Sequence, residues 1–315
     1  MDQRTTPPIR RKRPAGAARA TFTAFGIAAE AEALPGGLYV VATPIGNLRD
    51  VTLRALNVLA AADAVLAEDT RVTKTLLAHY GIATPLVAYH EHSSEALRER
   101  LVGRLKEGQA LALVSDAGTP LVSDPGYRLD GAAVEAGVAV IPIPGPSAIL
   151  SALVVSGLPT SRFFFEGFLP PRSSARRTRL AALAAIPGTL MLFEAPHRLP
   201  EMLADAAEVL GPRPAVVARE LTKLFETVRR GSLGDLAELY GAEGPPKGEV
   251  VVLIGEASDD AGAPEADAAL DEKLAAALAR HSIKDAAALV ADETGRPKRD
   301  VYARALALVR DRDGG

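Results

Sequence analysis

The sequence predicts an α/β protein: two successive α/β domains followed by a small helical module of helix-turn-helix character. Three observations carry this. Residues 34–150 alternate short apolar strands with helix-length segments, and residues 151–256 take up the same alternation again. Beyond an acidic stretch at 257–271, residues 272–315 carry helical spacing only. At 315 residues the chain exceeds what one small core organises, which suits two domains with an appendage.

Residues 1–33 open the chain with Arg10-Arg11-Lys12-Arg13 and Ala-rich text that lacks an apolar stretch of signal-peptide type, so they read as a disordered basic arm. The first domain follows with strands at 38–42, 64–67, 85–89, 110–114 and 138–143. Helices at 52–61, 70–79, 94–107 and 127–136 separate them; Leu53, Leu56 and Leu59 mark the buried face of the first. Strands joined through helices imply a mostly parallel sheet covered on both faces. Strands at 162–168, 189–193, 214–219 and 249–254 give the second domain a sheet expected to be mixed. The acids Glu256, Asp259, Asp260, Glu265, Asp267 and Asp271, with no base among them, make 257–271 an exposed linker. Helices follow at about 272–280, 284–293 and 298–310, with Ser282 placed to cap the second and Gly295-Arg296-Pro297 dividing the last two. Their nearly balanced charge suits a helical cap as well as a nucleic-acid contact.

Composition narrows the chemistry. The absence of Cys excludes disulfides, zinc-thiolate sites and thiol nucleophiles, and fits a cytoplasmic protein. No run of 18 apolar residues exists to span a membrane. Neither the glycine-rich dinucleotide fingerprint nor the phosphate-binding loop of nucleotide triphosphatases occurs. The net charge of −3 argues mildly against nucleic acid, but Arg172, Arg176, Arg177 and Arg179 form a local cluster with no acid between them. That cluster reads either as an RNA contact or as a solvated helix face.

Four strand ends share one character. Residues 113–127 pass from an apolar strand into Ser115-Asp116-Ala117-Gly118-Thr119-Pro120, with Val122 and further Ser, Asp, Pro and Gly beyond. Thr43-Pro44-Ile45-Gly46, Pro144-Gly145-Pro146-Ser147-Ala148 and Phe193-Glu194-Ala195-Pro196-His197-Arg198 are the others. Small, stiff, hydroxylated loops at the carboxyl ends of buried strands are where open α/β sheets hold ligands.

The blocks TPIGNLRDVTLRAL (43–56), AEDTRVTKTLLAHYGI (67–82), YHEH (89–92), LVSDAGTPLVSDPGY (113–127) and PGPSA (144–148) stand in order along the chain. SGLPTSRFFFEGFLP (156–170), FEAPHRL (193–199), ARELTKLFETVRRG (218–231), KGEVVVLIG (247–255) and SIKDAAALVA (282–291) continue them. Together they resemble the tetrapyrrole-methylase-like S-adenosylmethionine methyltransferases and, within that class, the bacterial 16S ribosomal RNA (cytidine-2′-O)-methyltransferase family. Ser93 departs from the family's frequent Asn, and residues 1–33 have no counterpart. The resemblance implies S-adenosylmethionine in a cofactor cleft between the two domains. It would be surrounded by Thr43, Pro44, Asp116, Ala117, Gly118, Thr119, Val122, Ser147, Ala148, Phe193, Ala218, Lys247, Gly248 and Glu249. It further implies 16S ribosomal RNA in the 30S subunit as substrate, and a homodimer.

A ribose hydroxyl is weakly acidic and gains from a positioned base. Asp69, Glu91 and Asp116 are the candidates, with His90 beside them, although none has a signature spacing and hydrogen-bonded loop residues would look the same. Arg71, Lys74 and Arg198, with the Arg172–Arg179 cluster, are candidate RNA contacts. Arg219 and Lys223 could meet phosphates or pair with Glu220 and Glu226. His90 and His92 could ligate a metal from one side of an extended segment, but with five His and no Cys no metal is expected. Two rival functions share this pattern. A tetrapyrrole C-methyltransferase would carry a more Gly-rich first loop and end with the second domain. A metabolite-sensing DNA-binding regulator would need a strongly basic second helix, whereas 284–293 holds one Lys against Asp285, Asp292 and Glu293.

Overall fold

The computed structural model describes residues 20–90, 92–123, 127–256, 263–294 and 298–313. The first domain begins with an antiparallel hairpin, β1 (Thr21–Ala24) and β2 (Ile27–Glu30). Then come β3 (Gly37–Val41), α1 (Leu53–Ala61), β4 (Ala64–Ala67), α2 (Thr70–His79), β5 (Leu86–Ala88) and α3 (Glu95–Lys106). β6 (Ala110–Val114), α4 (Tyr127–Glu135) and β7 (Val140–Ile143) complete it. The sheet is parallel throughout, in the order β5-β4-β6-β3-β7. Adjacent strands β3 and β6 send their chains to opposite sides, so a crevice opens at their carboxyl ends. Apolar residues of α1 and α2 cover one face, and those of α3 and α4 the other.

α5 (Ala148–Ser156) leads into β8 (Phe163–Phe168), α6 (Ser173–Leu183), β9 (Thr189–Glu194), α7 (Leu199–Leu210) and β10 (Pro214–Arg219). β11 (Thr227–Ser232), α8 (Leu233–Glu243) and β12 (Val250–Ile254) follow. The second sheet runs β11-β10-β12-β9-β8, with only the β8–β9 pairing parallel, as a mixed sheet requires. α6, α7 and α8 bury one face; α5 covers the other. Ile45 of the first domain packs into that second face with Met191, Val216 and Leu253. Three helices close the chain, α9 (Ala263–Leu278), α10 (Ile283–Thr294) and α11 (Lys298–Asp313), around Leu270, Leu274, Val290 and Val301. Ser282 caps α10, its hydroxyl accepting from Asp285 N at 3.3 Å. Among the described residues no helix is long and apolar enough to cross a membrane.

Three expectations need correction. Residues 1–19 lie outside the described residues, but 20–33, read as part of a disordered arm, contain the β1–β2 hairpin. It is held by Phe22, which is buried in the α1–α2 core, and by Thr23 N donating to Tyr80 O at 2.7 Å. The acidic stretch read as a linker is helical from Ala263 onward, so Glu265, Asp267 and Asp271 belong to α9; residues 257–262 are outside the described residues. β11 was not expected at all. It is an edge strand that pairs with β10 alone, and Thr-Val-Arg-Arg-Gly-Ser has no apolar alternation to reveal it.

Candidate active site

Where the two sheets meet, a cavity of about 400 Å³ opens. The first domain lines it with Ala117, Gly118, Thr119 and Val122 after β6, and with Ser147 and Ala148 at the start of α5. The second domain contributes Phe193, Ala218 and Glu249 from the ends of β9, β10 and β12. All nine stand among the residues expected to surround a donor. The loop after β6 is fixed by backbone bonds exchanged between Thr43 and Gly118, at 2.8 and 3.0 Å. Thr43, 4% exposed, donates its hydroxyl to Ser115 O at 3.1 Å, so it braces the loop from behind instead of lining the cavity. Gly118 sits at φ +80°, where a side chain is disfavoured. Thr119 Oγ1 reaches Pro146 O at 3.3 Å and joins the loop to the next one, where Ser147 caps α5. The amino-terminal end of α5 therefore faces the cavity with its partial positive charge. Pro44, Asp116, Lys247 and Gly248 do not line the cavity.

Ser123 of the loop after β6 also lines the cleft, as do Ile45, Phe168 and Leu221, which were not anticipated. Apolar residues drawn from separate segments look like core when each is read alone. Phe165, Phe168 and Phe193 form an aromatic wall, with ring centroids 4.9 and 5.7 Å from Phe193.

Two family models match this chain: tetrapyrrole (corrin/porphyrin) methylases over residues 37–237, and an RsmI C-terminal HTH domain over 264–309. A ribosomal RNA small subunit methyltransferase I from Mesorhizobium japonicum is 52% identical over 279 residues, covering 88% of this chain and 94% of the relative. The chain belongs to this methyltransferase family. An Escherichia coli O157:H7 relative of the same name is 48% identical, covering 86% of this chain and 95% of its own. In fold the chain resembles diphthine synthase, with TM-score 0.54 at 21% identity over 69% of this chain and 89% of that one. The cobalt precorrin-4 methyltransferase CbiF gives TM-score 0.52 at 20% identity, over 69% and 94%.

In this family member the carboxylates considered for proton transfer differ sharply in their commitments. Glu91 lies outside the described residues. Asp69 caps α2, accepting from Arg71 N at 2.8 Å and from Arg71 Nη2 at 2.6 Å. The hydrogen bonds from Arg71 hold its carboxyl at about 2, well below the usual carboxylate range. A group so stabilised as an anion is a weak base near neutral pH. Because the folded value is depressed, the cap and pair stabilise the fold above the unfolded value near 4 and are lost as pH falls towards 2. Asp116 is exposed, and its Oδ1 accepts from Asp69 N at 3.0 Å. His90 and His92 stack edge to face at 6.3 Å, and among the described residues no three His, Asp or Glu gather to hold a metal.

The arginine cluster on α6 is not a free phosphate surface. Arg176 is 1% exposed, with Nε on Asp205 at 2.6 Å, so it cannot touch RNA and is corrected to a structural role. Ser173 donates to the same carboxylate at 3.0 Å. Arg177 pairs with Glu208, and Arg179 grips Glu166 through two bonds of 2.5 and 2.7 Å. Of the cluster, Arg172 alone stays exposed without such an acid among the described residues; on α2, Lys74 is exposed, while Arg71, also exposed, is paired with Asp69 at 2.6 Å. Arg198 is likewise a brace: Nη2 donates to Leu169 O and Pro170 O at 2.8 and 3.1 Å, and Nε lies 3.2 Å from Glu194. Burial pushes the Glu194 carboxyl up despite that neighbour. The pair stiffens the Glu194–Pro196 wall of the cleft. His197 is exposed in the same turn.

The β10–β11 connection closes the opposite rim. Lys223 spans Glu220 and Glu249 at 2.8 and 3.1 Å, and its aliphatic stem lies over Gly46, where a Cβ would come within 2.4 Å of it. Gly248 is equally constrained, since a Cβ there would stand 2.3 Å from Glu220 Cδ. Glu220 and Thr222 hold left-handed backbone at φ 53° and 66°, a strain of about 1–3 kcal/mol each that the surrounding bonds must offset. Arg219 supplies three of those bonds, to Thr227 Oγ1, Lys247 O and Phe225 O.

Proposed function

We propose that this protein transfers a methyl group from S-adenosylmethionine to the ribose 2′-oxygen of a cytidine in the decoding region of 16S ribosomal RNA, acting on the 30S subunit. The observation that carries the reading is the cleft between the domains. Its walls are small, stiff loops from one sheet and strand ends from the other, and ribosomal RNA small subunit methyltransferases I share about half of the chain's residues. The cleft has the size and mostly apolar lining of a small-molecule site. The donor is a sulfonium that arrives activated, so the protein needs no nucleophile of its own.

In the reaction the ribose oxygen attacks the methyl carbon in line with the departing sulfur. The carbon–sulfur bond breaks with its electron pair on sulfur, and the hydroxyl proton goes to a base. The protein's part is to hold the two reactants collinear and exclude water. Gly118, Thr119 and Ser147 offer backbone and hydroxyl contacts to the donor, with Phe193 and Ala218 against its flat base. Of the candidate carboxylates, Asp116 is the one we assign to take the proton: it adjoins the cleft-lining Ala117 in the chain, whereas Asp69 is committed to Arg71 and Glu91 lies outside the described residues. Of the candidate RNA contacts, Lys74 and Arg172 are the exposed cations without an acid partner among the described residues and are left to meet phosphates, with Arg71 exposed beside them but paired with Asp69. The family resemblance supports a homodimer at work in the cytoplasm.

Alkaline hydrolysis separates the alternatives. A 2′-O-methyl removes the hydroxyl that would attack the adjacent phosphodiester, whereas a base methyl leaves it in place. Small-subunit RNA treated with enzyme and donor should gain one alkali-resistant linkage at a decoding-region cytidine. Methylated RNA that alkali still cleaves there would refute the ribose assignment. Transfer to a tetrapyrrole and none to RNA would favour the corrinoid-type alternative.

A further inference from the structure

At the tip of the β10–β11 connection, Leu224 is 89% and Phe225 68% exposed. These are not idle ends of a loose loop. Thr222 N donates to Glu226 Oε2 at 2.7 Å, Lys223 N to Glu220 O at 3.0 Å and Glu226 N to Lys223 O at 3.2 Å. Arg219 holds the carbonyl of Phe225 itself at 3.2 Å. A turn with two left-handed non-glycine residues is thus fastened so as to present two large apolar side chains to solvent. The tip is also well placed. Leu221, a few residues before it, lines the cleft, and Lys223 lies over Gly46 in the facing loop of the first domain.

The charges around the tip decide what it would recognise. Arg219 spends its guanidinium on Thr227, Lys247 and Phe225, and the Lys223 ammonium sits between Glu220 and Glu249. Phosphate oxygens would find neighbouring carboxylates there and cations already engaged. What the tip offers to a nucleic acid is a neutral aromatic face beside an aliphatic wedge. An acceptor nucleotide whose ribose must enter a cleft has to leave its stack, and unstacked bases are received on aromatic side chains. We propose that Phe225, flanked by Leu224, is a stacking surface for an unstacked base of the RNA acceptor. The inference rests on the RNA-methyltransferase reading above.

Methyl transfer to isolated 30S subunits, with calorimetry of S-adenosylmethionine binding alongside, tests it. Phe225→Ala and Phe225→Leu should each lower kcat/KM for the subunit roughly ten- to hundredfold, the range of one lost base stack. Donor affinity should stay at the wild-type value, which also reports that the variants are folded. Phe225→Trp should retain activity, and its fluorescence should be quenched when subunits are added. Full activity in Phe225→Leu with loss in Phe225→Ala would overturn stacking in favour of simple apolar packing. A fall in sedimentation mass for Phe225→Ala would reassign the tip to a second copy of the chain. If the wild-type protein methylates the RNA and all three variants match it, this inference alone fails. If the wild-type protein transfers nothing to small-subunit RNA, the acceptor reading fails first and takes this inference with it.

Discussion

Asp205→Ala is expected to destabilise the second domain by about 3–5 kcal/mol, because it strands a buried cation. Arg176 is 1% exposed and has its closest partner in Asp205 at 2.6 Å. What remains to it is Pro171 O at 3.4 Å and Glu201 at 3.7 Å, both poorer contacts. Ser173 would lose its acceptor in the same step. Urea unfolding of the variant should show the lost stability as a lowered midpoint. Converting both members to apolar residues of similar volume, Arg176→Met with Asp205→Leu, should recover most of it, since the stranded charge is gone. A midpoint unchanged in Asp205→Ala would mean that Arg176 is not held as described and would return it to the pool of RNA contacts.

Gly118→Val should reduce S-adenosylmethionine affinity at least tenfold. Two effects add. At φ +80° a β-branched residue is strained by about 1–3 kcal/mol, and its Cβ would stand 3.3 Å from Ile45 Cγ2. Relief requires the loop to move away from Thr43, to which it is bonded in both directions, and the cleft wall moves with it. Gly118→Ala isolates the backbone part and should fall between wild type and Gly118→Val. Calorimetry that finds donor affinity unaltered in Gly118→Val would remove this loop from the donor site.

Much of the cleft was legible because its chemistry is local. The change from Leu113-Val114 to Ser115-Asp116-Ala117-Gly118 happens within a few residues, and the same is true at Pro144–Ala148. Strands of the parallel sheet were legible for a similar reason, since each is a short apolar run bounded by turn residues. What escaped depends on partners distant in sequence. The arginines of α6 look like a cationic patch until Asp205, Glu208 and Glu166 arrive from α7 and β8. β11 is a strand because β10 offers it an edge, not because its own residues ask for one. α9 was hidden by composition: Ala-Pro-Glu-Ala-Asp reads as linker. Yet Ala is the best helix former, and Leu270 and Leu274 supply the face buried against α10 and α11. Thr43 was expected beside the donor from its neighbourhood, but its hydroxyl faces the protein and it braces the loop from behind, an orientation no linear pattern encodes.

Ile45 gives the two halves of the molecule a shared fate. Its side chain is 6% exposed and belongs to the second domain's apolar face, while its backbone belongs to the loop that is bonded to Gly118. Pulling the domains apart would return that side chain to water at a cost of about 1.5–3 kcal/mol. A ligand that stiffens the Gly118 loop therefore also holds Ile45 in place, and by mass action it raises the stability of a domain whose strands carry only part of its binding surface. Thermodynamic linkage runs both ways: a loosened second sheet weakens the donor site even where no residue touching the donor has changed.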